Sequence, residues 1–529
     1  MRINQYAAVA VLCGFGFGGG TLGAPAQAAD GKTLGGETRS WETHQWEKHG
    51  KLRVSKNGHF FEFEDGTGFF WLGDTAWLLG RLTPEDVDRY MRNRAERGFN
   101  VIQTIATLWS MPNYAGELVF EGAGTPYDRP KFNPKFWRHV DYIVAKAKEH
   151  GLFVALVPFW GRNADNPFSD APFNTWIHGQ FFTDPDRDNY EFGRELAVRY
   201  RDEPHILWIA SGEYHAPYNA KAFEQPVPEV HFKRLRTLAR GIREGSGGKQ
   251  LMTIHPLSFF SSSDDFHEEG WLDFNMVQSH TASELITSLV AGDWALNPAK
   301  PTVNAEAGYD GYSGAGRKIE LHHLPFSTAW SQRYQAYWSV FSGGAGFTYG
   351  HRNLWSTAVK DRTHQELFAE WQSYPGTLQQ TALEAPGSAT LKHLRVLIES
   401  KPIQSRIPDP SLLSVSSRGS DSSDLWTKES PALRCATRGE DGKWAFIYST
   451  KGRMFRVLLR KLAAGRASAF WYNPRTGEWH VGGNESPQQR AFETGIPCDP
   501  GSPDRYFSPP GKPAEDNDWA LVLEVGRPP

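Results

Sequence analysis

Neither sign of charge dominates this chain: 57 Lys and Arg stand against 60 Asp and Glu, a formal charge of −3 over 529 residues. Without a basic surplus there is no electrostatic footprint for a polyanion, so nucleic-acid binding is not expected. Metal patterns are missing too. No H-E-x-x-H occurs, and the three cysteines form no Cys/His cluster with zinc spacing, so neither a metal nor another cofactor is implied. The absence of G-x-S-x-G and Walker patterns argues against serine-hydrolase and nucleotide-dependent chemistry. Beyond the first thirty residues no run approaches the ~20 apolar residues of a membrane span. There is no internal repeat.

What is present fits a soluble globular protein, with 39% hydrophobic and 22% charged residues. At ~150 residues per domain the length allows two to four domains, and because barrels exceed that average two are expected. The unusual feature is 20 Trp in an aromatic fraction of 13%. Such rings serve either as sugar-binding platforms or as the filling of a large core.

Residues 1–28 read as a signal peptide, with Arg2 near the start, an apolar stretch, and Ala26-Gln27-Ala28 before the cut. Cleavage after Ala28 or Ala29 would make the protein periplasmic or secreted in a bacterium. Cys13 follows the bulky Leu12, which argues against a lipid anchor. The G-x-G-x-x-G from Gly14 to Gly19 falls inside this leader and carries no dinucleotide meaning. In an oxidising compartment Cys435 and Cys498 have the opportunity to pair.

From about residue 58 a short apolar run, a polar loop and a helical stretch alternate. The runs end at Asp74, Ile105, Val157, Ala210, His255, Gln278, Ala305 and Tyr349. Thr83-Pro84-Glu85 reads as a helix start, with a capping hydroxyl, Pro in the first turn and an acid favoured by the dipole. Eight such runs alternating with helices predict a (β/α)8 TIM barrel over residues 40–403. A doubly wound sheet would need a switch point and a phosphate-binding glycine turn, and neither is found. Ser405 to Asp424 reads as a linker. Short alternating runs separated by turns then predict a small all-β sandwich within residues 404–529.

Barrel enzymes place their chemistry at the C-terminal strand ends. Two carboxylates stand there directly after apolar strands, Glu213 after the fourth and Glu306 after the seventh. Opposed carboxyls are the apparatus of glycoside hydrolysis, one donating a proton to the leaving oxygen and one attacking or activating water. Asp74 is read either as a ligand for a sugar hydroxyl or as a brace to an arginine such as Arg352. His255 and His280 would hydrogen-bond hydroxyls or hold the nucleophile. Trp77, Trp109, Trp160 and Trp355, with Tyr309 and Tyr349, are candidate cleft walls, though any one could equally be packing.

These residues resemble a known family. Asn57-Gly58, Phe69 through Trp77, and Arg97-Gly98-Phe99-Asn100-Val101-Ile102-Gln103 are similar to the apiosidase-like barrel of glycoside hydrolase family 140. So are His205-Ile206-Leu207-Trp208 with Gly212-Glu213, Asn304-Ala305-Glu306 with Tyr309, and Gly343 through Gly350. Phe470 through Gly477 resembles the β-domain that often accompanies that barrel. The resemblance implies removal of β-linked apiose from the pectin rhamnogalacturonan II with retention. It puts Glu213 at the acid/base position and Glu306 at the nucleophile. The family typically carries Asp where this chain has Glu213, one methylene longer, which opens the expectation to related furanosides or pyranosides. The expected partner is an oligo- or polysaccharide. The alternative is a non-catalytic carbohydrate-binding or adhesion protein on the same scaffold.

Overall fold

The computed structural model describes residues 44–108, 111–121, 131–158, 160, 185–213, 229–311, 327–358, 375–413, 434–481, 484–486 and 488–526. The expected leader at 1–28 and Trp109 lie outside the described residues. Three short antiparallel strands come first: β1 (Leu52–Val54), β2 (Phe61–Phe63) and β3 (Gly68–Phe69). They put Phe61 against Trp71 and Phe274, at ring separations of 6.0 and 5.1 Å.

The eight predicted runs are the strands of the barrel. They are β4 (Trp71–Thr75), β5 (Val101–Ile105), β6 (Phe153–Val157), β7 (Ile206–Ile209), β8 (Met252–Thr253), β9 (Asn275–Val277), β10 (Thr302–Asn304) and β11 (Gly346–Gly350). The ladder runs β8-β7-β6-β5-β4-β11-β10-β9, parallel throughout. Between β8 and β9 closure relies on single bonds. Asp273 N–H donates to the Met252 carbonyl at 2.8 Å, and Thr253 Oγ1 donates to the Phe274 carbonyl at 2.6 Å. Each strand is buried end to end, which explains the continuous apolar runs. The helix start at Thr83 is present, its hydroxyl accepting from Asp86 N–H ahead of Pro84–Glu96.

A polar chain crosses this apolar interior. Trp71 Nε1 donates to Thr348 Oγ1 at 3.0 Å, and Thr348 donates to Gln103 Oε1 at 3.2 Å. Gln103 Nε2 donates to the Ala305 carbonyl at 3.1 Å. Buried polar groups are tolerable only when paired, and this chain ends on the residue before Glu306.

The C-terminal region is antiparallel. Its main sheet runs β12 (Arg406–Pro408), β13 (Arg434–Gly439), β14 (Trp444–Ser449), β21 (Trp519–Val525), β16 (Arg466–Tyr472), β17 (Trp479–Val481) and β18 (Asn484–Ser486). β19 (Glu493–Pro497) also pairs with β16, and β15 (Phe455–Val457) pairs with β20 (Arg505–Phe507). Alternation splits the strands cleanly. Phe446, Tyr448, Phe470, Tyr472 and Val522 join the barrel's core, while Ala445, Ile447, Ala469, Trp471, Leu521 and Leu523 build a second core on the opposite face.

The barrel-facing side meets the helix Ala329–Phe341, buried from Trp330 to Phe341. The described residues accordingly belong to one compact unit. Two expectations change. The stretch read as a linker from Ser405 begins instead with β12 and a 3-10 turn at Pro410–Leu412. Arg406 anchors it, bonding the carbonyls of Val340 and Gly344 where the helix ends. The Val340 carbonyl belongs to the helix's last turn, where the negative end of the dipole favours a cation. Cys435 and Cys498 do not pair. Both are free and buried, Cys435 in the barrel-facing core and Cys498 in the opposite one.

Candidate active site

The C-terminal ends of the barrel strands gather most of the predicted residues. Glu306 follows β10 and is only 7% exposed. Its carbonyl accepts the His280 N–H at 2.9 Å, and its Oε2 lies 3.4 Å from Nε2 of the fully buried His255. Nδ1 of that ring sits 3.0 Å from the Pro256 carbonyl. A carbonyl can only accept, so the ring proton belongs on Nδ1 and Nε2 turns its lone pair toward Glu306. The Nε2 lone pair therefore faces the Glu306 carboxyl across 3.4 Å.

Glu213 shares this neighbourhood. Burial pulls the His255 pKa down to about 4, and the charge that most opposes the shift is that of Glu213. Burial also lowers His280, again opposed by Glu213. Two carboxylates thus surround imidazoles that stay neutral in ordinary buffers, so neither acid is neutralised by a histidinium.

Aromatic rings wall the site. Trp77 lies 4.7 Å from Trp160 and 5.6 Å from His255, and Trp160 lies 5.2 Å from His255. Trp77 Nε1 donates to Tyr309 Oη at 3.2 Å. Gly212 is dictated by this packing, since a Cβ there would come within 2.5 Å of the Trp160 indole. Trp355 is only partly buried and holds the other side of the Trp77 loop through its carbonyl, which accepts Leu78 N–H at 3.1 Å.

Two predicted residues stand behind the site. Asp74 is completely buried, accepting from Tyr90 Oη at 2.6 Å and paired with Arg94 at 3.4 Å. Burial raises its pKa and the Arg94 guanidinium opposes that. The brace therefore exists, but its arginine comes from the next helix rather than being Arg352. Tyr349 is equally buried, its hydroxyl donating to Asp310 Oδ2 at 3.0 Å. This bond ties the segment after Glu306 to β11. Gln103, Thr348 and Asp310 brace the segment that carries Glu306, a role the sequence does not announce. Gln103 alone left a signal, a long amide inside an apolar strand.

Backbone strain gathers at the same end. Of the seven non-glycine residues with left-handed φ among those described, five follow barrel strands: Leu108 (50°), Glu213 (53°), Phe259 (76°), His280 (46°) and Thr357 (50°). Each costs ~1–3 kcal/mol, a cost that functional sites often carry.

A family model described as "Apiosidase-like, catalytic domain" matches residues 55–405. Another, described as "Putative collagen-binding domain of a collagenase", matches residues 425–524. A solved glycoside hydrolase is 26% identical, with a TM-score of 0.69 over 91% of this chain and 98% of its own. A glycoside hydrolase family 5 protein from Bacteroides vulgatus ATCC 8482 is 25% identical, with a TM-score of 0.69 over 92% of this chain and 95% of its own. No curated protein matches the chain. With two carboxylates at the mouth of a TIM barrel and the family's catalytic domain matched from residue 55 to 405, the chain belongs to the apiosidase-like glycoside hydrolases.

Proposed function

We propose that the protein is a periplasmic or secreted retaining glycosidase that removes terminal apiose, or a related furanose or pyranose, from polysaccharide side chains. Glu306 attacks the anomeric carbon while the protonated Glu213 gives its proton to the leaving oxygen as the glycosidic bond breaks. The sugar is then held as an ester on Glu306. Glu213, now a carboxylate, takes a proton from water, whose oxygen attacks the same carbon and frees Glu306. Retention requires carboxyls ~5–5.5 Å apart. The observation that supports this reading is that His255 lies 3.4 Å from Glu306 and also feels the charge of Glu213, so one imidazole adjoins both acids.

The test is to incubate the mature protein, Glu213→Gln and Glu306→Gln with rhamnogalacturonan II side chains and a panel of aryl glycosides. Release of one monosaccharide by the wild type, falling by ~10⁴-fold in Glu306→Gln and ~10²–10⁴-fold in Glu213→Gln, is expected. Turnover that survives in Glu306→Gln would refute the assignment.

A further inference from the structure

Phe259 combines two costs that its packing does not repay. Its φ of +76° holds a bulky residue in the left-handed region, and the residue is 40% exposed. Among the described residues the exposed large apolar side chains are Val198, Phe259, Met454 and Tyr506, and Phe259 is the aromatic one of the barrel. The position is fixed by its surroundings. Phe259 N–H donates to the Gln278 carbonyl at 2.6 Å and Gln278 N–H to the Phe260 carbonyl at 3.1 Å, lacing the loop after β8 to the end of β9. The phenyl ring stands at 87° to the His280 ring with centroids 5.8 Å apart. His280 in turn holds the Glu306 carbonyl. An apolar face and an imidazole thus form a corner adjoining the nucleophile's own backbone.

We infer that Phe259 and His280 form a subsite for the sugar on the leaving-group side of the scissile bond. The C–H face of that sugar stacks on the phenyl ring, and a hydroxyl meets the imidazole. The inference rests on the exo-acting glycosidase reading: the terminal sugar fills the space between Glu213 and Glu306, which leaves the next residue of the glycan at the rim. A flat apolar ring matches the C–H face of a sugar, and a strained, exposed aromatic is what such a contact would preserve.

Phe259→Gly separates recognition from folding, because glycine adopts this φ without strain. The expected result is a Tm at or above that of the wild type. KM for a rhamnogalacturonan II side-chain oligosaccharide should rise about fivefold more than KM for an aryl glycoside of the same sugar, with recovery in Phe259→Trp and Phe259→Tyr. In a Glu306→Gln background, calorimetry should show the oligosaccharide Kd weakened by Phe259→Gly to a similar degree. A lowered Tm with unchanged KM and Kd would make the ring a packing element and overturn the subsite. Equal losses on both substrates would overturn its assignment to the leaving-group side. If the folded wild type binds the oligosaccharide without cleaving it, and Phe259→Gly weakens that binding, the glycosidase reading fails while the sugar contact stands.

Discussion

The catalytic end of the barrel and its seam with the C-terminal sheet treat buried polar groups in opposite ways. At the seam, Arg333 donates to both carboxylate oxygens of Asp518 at 2.9 and 2.8 Å and also meets Asp516, while Tyr448 donates to Asp518 at 2.9 Å. Trp330 and Trp338 give their indole N–H groups to Thr450, at 2.8 and 3.0 Å, and Tyr337 stacks on Tyr448 at 4.3 Å. At the catalytic end, a neutral imidazole meets a carboxylate at 3.4 Å and the strand ends carry left-handed backbone. One region fixes its charges in short, directional bonds. The other sets a carboxylate against a neutral imidazole and bears left-handed backbone, the pattern expected where function rather than stability shapes the local choice. The seam also shows why the C-terminal sheet is part of the folded unit. One of its faces is spent on the barrel, leaving it no independent core on that side.

The contrast can be broken first by mutating each region. Glu306→Gln and Glu213→Gln, with their ~10²–10⁴-fold or larger losses of turnover, should leave the melting transition near that of the wild type. Arg333→Met should do the reverse. Leaving Asp518 buried without its cation costs about 3–5 kcal/mol, read in urea or thermal melts, with kcat/KM preserved where the variant is folded. If Arg333→Met melts like the wild type, the seam does not carry the stability assigned to it.

Acid should act on both regions at once. His139, His205, His255, His351 and His393 are each lowered to about 4 by burial. The unfolded chain then binds more protons than the folded one between about 4 and the ordinary value of 6.5. Stability should therefore rise with pH across that window and be lost on acidification through it. Tm measured from pH 4 to 7 checks the sign. Because protonated His255 would place a cation against Glu306, activity should also fall toward pH 4. A Tm that is flat or rises on acidification would contradict the burial of these rings.

The barrel was legible because its strands are apolar on both faces and its helices begin at recognisable caps such as Thr83-Pro84. The positions of Glu213 and Glu306 at strand ends were legible because a carboxylate after an apolar strand is conspicuous. What stayed hidden depends on contacts between distant segments. Arg94 replaces Arg352 as the partner of Asp74 because the following helix folds back over β4. Arg406 turns an apparent linker into a strand by reaching helix-end carbonyls more than sixty residues away. The cysteines lie on opposite sides of one sheet, a fact of register that their spacing does not contain. Nothing in the sequence singles out Phe259, which only its φ and exposure mark.

The most direct test of the central claim is to trap the intermediate. The wild type would be treated with an activated 2-fluoro glycoside of the released sugar, digested, and examined by mass spectrometry. The account predicts a single glycosyl ester on the peptide containing Glu306, formed as activity is lost and absent in Glu306→Gln. An ester on Glu213 or elsewhere, or turnover that inverts the anomeric centre with no adduct, would contradict it.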